Sequence, residues 1–117
     1  MGTRFLRELF FETTTSDKSN VLYTLKDEDH TYNGITYPSL YKLYMASEDP
    51  TEYDFFTQYL DGLEHWERLC ASPWFKEYVA RWRREHELRL KSRALKRVMA
   101  SAKAPAKDRD WETNRTL

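Results

Sequence analysis

Only three glycines occur among the 117 residues, at positions 2, 34 and 62. A phosphate-cradling loop or a dinucleotide fingerprint needs several glycines at fixed spacing so that the backbone can approach phosphate, and neither can be assembled. No serine has the flanking glycines of a nucleophile elbow. The single cysteine, Cys70, excludes an internal disulfide framework and paired-cysteine zinc spacing, and fits a reducing compartment. Its nearest basic partner is His65, but a separation of five residues on a helix turns the two to different faces. Long apolar runs are missing too. Arg4, Arg7 and Glu8 interrupt Phe5, Leu6, Leu9, Phe10 and Phe11, which argues against an export signal and a membrane span. Leu6 stands where a myristoylation signal wants Ser or Thr, and Asn114-Arg115-Thr116 matches the glycosylation acceptor in pattern alone. The chain reads as a non-enzyme without cofactor or metal.

What is abundant is aromatic and charged. Four Trp, eight Tyr and six Phe are too many for a disordered chain, although the hydrophobic fraction is only 40%. The zero net charge hides a division: residues 1–75 carry 6 basic and 13 acidic side chains (net −7), residues 76–107 carry 11 and 3 (net +8), and residues 108–117 net −1. Separated blocks of opposite sign steer partners and copies of the same chain, so this layout points to assembly or nucleic-acid contact.

Residues 3–11 have the spacing of a short amphipathic helix whose fate depends on a partner, and the polar run Thr13–Asn20 reads as a linker, so residues 1–20 are expected to be a mobile segment or one docked elsewhere. Val21–Leu25 has strand chemistry, and Asn33-Gly34 before Ile35–Tyr37 is a hairpin signal. Between them, Lys26-Asp27-Glu28-Asp29-His30 is most simply a solvated acidic loop, since no second His or Cys lies at metal-ligand spacing.

Pro38 begins an expected short helix ending near Ser47. Asp49-Pro50-Thr51-Glu52 then has the form of a capping box, with Asp49 as N-cap and Glu52 three residues on. That helix is expected to close at Asp61-Gly62, and Leu63–Ala71 supplies another, which together make a helix-turn-helix outline. The second helix carries Glu64, His65, Glu67 and Arg68, which is not a basic recognition surface.

Ser72-Pro73 starts a helix that nothing interrupts through Lys103, roughly 45 Å at 1.5 Å per residue. Trp74, Phe75, Tyr78, Val79 and Trp82 make an apolar stripe along its base, expected to be core. Beyond it, Leu88, Leu95 and Ala102 recur every seven residues, joined by Val98 and Met99, as a narrow seam that calls for a second helix. The basic excess around the seam makes contact with DNA or an acidic protein as plausible as a solvated face.

The segments DPTEYDFFTQYLDG, LEHWERL and SPWFKEYVARWRREHELRLKSRALKRV, in that order, resemble the small terminase subunit of tailed bacteriophages over about residues 37–117. Trp66, Phe75 and the close Ala94-Leu95-Lys96-Arg97-Val98 carry the likeness. Residues 1–36 have no counterpart in it, and the second helix of the corner is more acidic than the family's role requires. The resemblance implies a protein that assembles into a ring in the host cytoplasm, binds double-stranded viral DNA and presents it to the large ATPase and nuclease subunit.

The expected fold is mainly α: a head at residues 21–71 with a possible small hairpin and helix-turn-helix-like helices, a long basic oligomerising helix at 72–103, and a tail at 104–117. Lys42, Arg68, Lys76, Arg81, Arg83 and Arg84 are the expected DNA contacts, and Leu88, Leu95, Val98, Met99 and Ala102 the expected oligomer seam. Two other readings fit the same charges, a helical adaptor for an acidic protein and a dimeric helix-turn-helix regulator.

Overall fold

The computed structural model describes residues 6–14 and 18–103. The chain is mainly α: a two-stranded hairpin, β1 (His30–Tyr32) and β2 (Ile35–Tyr37), precedes four helices, α1 (Leu40–Ala46), α2 (Tyr53–Tyr59), α3 (Leu63–Ala71) and α4 (Pro73–Lys103). Its contacts fall into two units, Met1–His86 and Glu87–Leu117, divided within α4. The tail expected at 104–117 lies outside the described residues.

In the first unit the core is aromatic. Phe55, Trp66, Phe75 and Trp82 are almost wholly buried, with Tyr44, Leu40, Leu69 and Val79 around them. Phe55 meets Trp66 edge-on at 5.1 Å and Phe75 meets Trp82 edge-on at 5.3 Å. Such pairs add about 0.5–1.5 kcal/mol each beyond the area they bury. The expected stripe on α4 is therefore core: Phe75, Val79 and Trp82 are buried, and Trp74 and Tyr78 pack against them in part.

The expectation of a mobile N-terminal segment is corrected for the described residues 6–14. Leu6–Leu9 forms one 3-10 turn rather than an amphipathic helix, and Leu9 and Phe10 are fully buried. Phe10 stacks on Phe75 at 5.8 Å and meets Trp74 edge-on at 5.9 Å, so this segment completes the core over α4. Backbone bonds hold it: Tyr23 N–H donates to the Leu9 carbonyl (2.9 Å) and Phe11 N–H to the Tyr23 carbonyl (2.9 Å). Glu12 caps the join by accepting from the Thr24 hydroxyl and from Leu25 N–H (2.8 Å). The linker composition of the residues that follow did not decide the matter, because Leu9 and Phe10 are buried in the core.

The strand expected at Val21–Leu25 is reduced to two isolated bridges, Phe10 to Tyr23 and Thr24 to Ser39. The hairpin is instead built from His30–Tyr32 on Ile35–Tyr37, pairing antiparallel with Tyr32 opposite Ile35. Asn33 and Gly34 both have positive φ (51° and 77°), as a two-residue primed turn demands.

Helix α1 begins at Leu40 rather than Pro38, because Ser39 caps it. The Ser39 hydroxyl accepts from Lys42 N–H (3.2 Å) and donates to the Lys26 carbonyl (2.6 Å), while its own N–H donates to Asp29 Oδ1 (2.9 Å). Gly62 does not close α2. Helix α2 ends at Leu60 in extended conformation, and Gly62, at φ 107°, is the residue that opens α3. The Ser72 hydroxyl turns back to the Arg68 carbonyl (3.0 Å) instead of capping α4, whose first N–H groups, from Phe75 and Lys76, reach the Ser72 carbonyl.

Candidate assembly and nucleic-acid surfaces

The capping box expected at Asp49–Glu52 does not form: α2 begins at Tyr53, and Glu52 rather than Asp49 holds the N-cap position. Asp49 accepts from Thr51 N–H (2.9 Å), the Thr51 hydroxyl (2.7 Å) and Asp54 N–H (3.1 Å), bonds that hold its carboxyl below the usual range. Glu52 does not return to Asp49. It stands just before α2 in left-handed backbone conformation, φ 72°, which aims its side chain into the first unit. There its carboxylate accepts from Tyr44 Oη–H (2.6 Å), Trp66 Nε1–H (3.0 Å), Arg83 Nε–H (2.8 Å) and Arg83 Nη2–H (3.0 Å). Burial opposes the charge on Glu52, but the donors from Arg83, Tyr44 and Trp66 outweigh it and keep the carboxyl ionised below its ordinary pKa. One carboxylate thus fastens side chains from α1, α3 and α4.

Two buried histidines bracket this network. His86 Nε2–H donates to the Ser47 carbonyl at the end of α1 (2.7 Å), with its ring 4.9 Å from that of Tyr44. His65 Nδ1 accepts from Asp61 N–H (3.1 Å), which fixes its tautomer in the α2–α3 turn. Burial pushes the Cys70 thiol up to about 12 against the lowering influence of Arg83, whose Nη2 lies 3.6 Å from the sulfur. The thiol therefore stays protonated at neutral pH and is a poor nucleophile. Sequence reasoning missed Glu52 as the centre of the network because the capping-box pattern offered it a local role. His86 carried no signal in sequence, since its acceptor lies 39 residues away.

Of the six expected DNA contacts, two are engaged in ion pairs with carboxylates. Arg83 is half exposed and is engaged by Glu52, which offsets its charge. Lys42 pairs with Glu28 at 3.3 Å on the surface. Arg81 lies over the Tyr78 ring with its guanidinium carbon 5.3 Å from the centroid. Lys76, Arg81 and Arg84 are exposed along the part of α4 within the first unit. Arg68 is exposed on α3 among Glu64 and Glu67, which makes the outer face of that helix acidic.

In the second unit the described residues form the rest of α4. Leu88, Leu95, Val98 and Met99 are 65%, 62%, 64% and 56% exposed, and Ala102 is exposed with them. Lys91 pairs with Glu87 at 3.2 Å one turn away. Among the described residues nothing covers this apolar row on a charged helix.

A shallow cleft of about 180 Å³ lies beside α1 and α2, lined by Leu43, Ser47, Asp54, Phe55 and Tyr59 among others. Among the described residues no three His, Cys, Asp or Glu side chains are grouped to hold a metal ion, and no helix is long and apolar enough to cross a membrane. Comparison of the chain with family models, with curated proteins and with solved structures found no match.

Proposed function

We propose that the chain is a self-assembling DNA-recognition protein of viral genome packaging, the role that its resemblance to small terminase subunits implies. Copies assemble through the seam on α4, retain double-stranded viral DNA in the host cytoplasm, and present it to a large ATPase and nuclease subunit. The supporting observation is that one helix carries exposed basic side chains at Lys76, Arg81 and Arg84 and an uncovered apolar row at Leu88, Leu95, Val98 and Met99. Arg83 is removed from the proposed contacts, because Glu52 holds it.

A single copy offers few cations to a duplex, and assembly places several such sets side by side so that weak contacts act together. The α3 helix is a poor recognition helix, since Glu64 and Glu67 would face phosphate. That disfavours the regulator reading, in which α3 would enter the major groove. The test is retention of duplex DNA in a mobility-shift titration across salt concentrations, together with the absolute mass in solution. Salt-sensitive retention by a species well above a dimer is expected, with R81A and R84A each reducing the salt slope by about 1. A monomer, or a protein that ignores DNA at low salt, would overturn it.

A further inference from the structure

We infer that the apolar row on the last part of α4 docks on the acidic α2–α3 face of a second copy, in a head-to-tail contact. Nothing among the described residues of its own chain covers Leu88, Leu95, Val98 or Met99. Charge identifies the occupant. Residues 87–103 carry six basic side chains (Arg89, Lys91, Arg93, Lys96, Arg97, Lys103) against Glu87, a net of +5. Residues 1–86 carry 10 basic and 15 acidic side chains, a net of −5, and residues 104–117 carry three of each. The net charge opposite to that of this row is carried by the other unit of the same chain.

A row-on-row pairing between copies is the obvious alternative, and charge opposes it. Each helix would bring +5 against +5, and an in-register pairing would set Lys91, three residues after Leu88 and within the row, against its counterpart. The α2–α3 face has the complementary character. Asp54, Asp61, Glu64 and Glu67 outnumber Arg68 there, and Tyr53 and Leu63 stand 61% and 54% exposed as apolar anchors. Exposed apolar anchors on elements rich in the opposite charge offer both burial and complementarity to the row. Because two different surfaces meet, the contact repeats from copy to copy and either closes into a ring or grows as a filament.

This interface rests on the assembly half of the proposed function and is independent of the DNA half. The test is the association of full-length protein at low salt, read by analytical ultracentrifugation. Replacing the acidic face (E64K with E67K) or the basic row (K91E with K96E) is expected to weaken association at least about tenfold, since like charges then meet. Combining all four substitutions in one chain, or mixing the two double variants, is expected to restore it, which also shows that the altered chains fold. Association that survives E64K with E67K unchanged, or a wild-type protein that is monomeric at every concentration, would overturn the inference. Association that follows this charge pattern in a protein that fails to retain DNA would support the interface and sink the packaging reading.

Discussion

Arg83 grips Glu52 through two parallel hydrogen bonds, Nε to Oε2 at 2.8 Å and Nη2 to Oε1 at 3.0 Å, across 31 residues of sequence. The pair joins the first part of α4 to the start of α2, with Tyr44 and Trp66 donating to the same carboxylate. Glu52 accepts a left-handed backbone to make these bonds, a conformation that costs about 1–3 kcal/mol and persists only where the surroundings over-determine it.

Removing the acceptor is expected to cost more than removing the cation. Glu52→Ala leaves the Tyr44 hydroxyl, the Trp66 indole N–H and the Arg83 guanidinium without their shared carboxylate, a loss of about 2–4 kcal/mol. Arg83→Ala should cost about 1–2 kcal/mol, because the Arg83 side chain is half exposed and water replaces part of what it loses. Urea unfolding measures both, and equal costs would contradict a network centred on Glu52.

The same network sets an acid limit. Glu52 and Asp49 both have folded pKa values below their ordinary 4.5 and 3.8. A depressed carboxyl stabilises the fold above its unfolded pKa and loses that contribution as pH falls through the folded value. The urea midpoint should hold down to about pH 5 and then fall, and Glu52→Gln should flatten that limb. Tyr44 acts at the other end, since burial and Glu52 raise its pKa; its contribution is present below the ordinary 10.0 and lost as pH rises beyond it. A midpoint unchanged from neutral pH down to about pH 3 would rule out the acid limit.

Phe10 is expected to be as important as any core residue of α3 or α4. Phe10→Ala should destabilise by about 3–5 kcal/mol, since it vacates the space between Trp74 and Phe75. A loss below about 1 kcal/mol in thermal or urea unfolding would mean that the N-terminal segment is dispensable.

Gly62→Ala tests the α2–α3 turn. A Cβ there would meet nothing within 4 Å, so any cost comes from φ 107° alone, about 1–2 kcal/mol. The urea midpoint reads it, and an unchanged midpoint would show that the turn relaxes to another conformation.

The order of the helices was legible in the chain because local rules govern it. Pro38 and Pro73 mark helix entries within two residues, whereas Asp49 stands four residues before α2 begins; Asn33-Gly34 marks the hairpin turn, and the aromatic stripe at Phe75, Val79 and Trp82 predicts the buried side of α4 from spacing alone. The exposed seam was legible for the same reason, since periodicity on one helix needs no knowledge of the rest of the fold.

What local pattern could not decide was which distant partner each polar or flexible residue would meet. A capping box and a salt bridge are both good uses of a glutamate, and only the arrival of Tyr44, Trp66 and Arg83 around Glu52 chose the second. A basic residue on a helix looks like a DNA contact until a carboxylate 31 positions away neutralises it, as happens to Arg83 and not to Arg84. A polar run after Phe10 looks like a linker, yet burial of Leu9 and Phe10 outweighs it. The sequence by itself determined the helices, the seam and the opposed charge blocks, because these depend on near neighbours. Tertiary structure alone decided which charges remain on the surface, because pairing energies depend on distances that the chain sets only when folded.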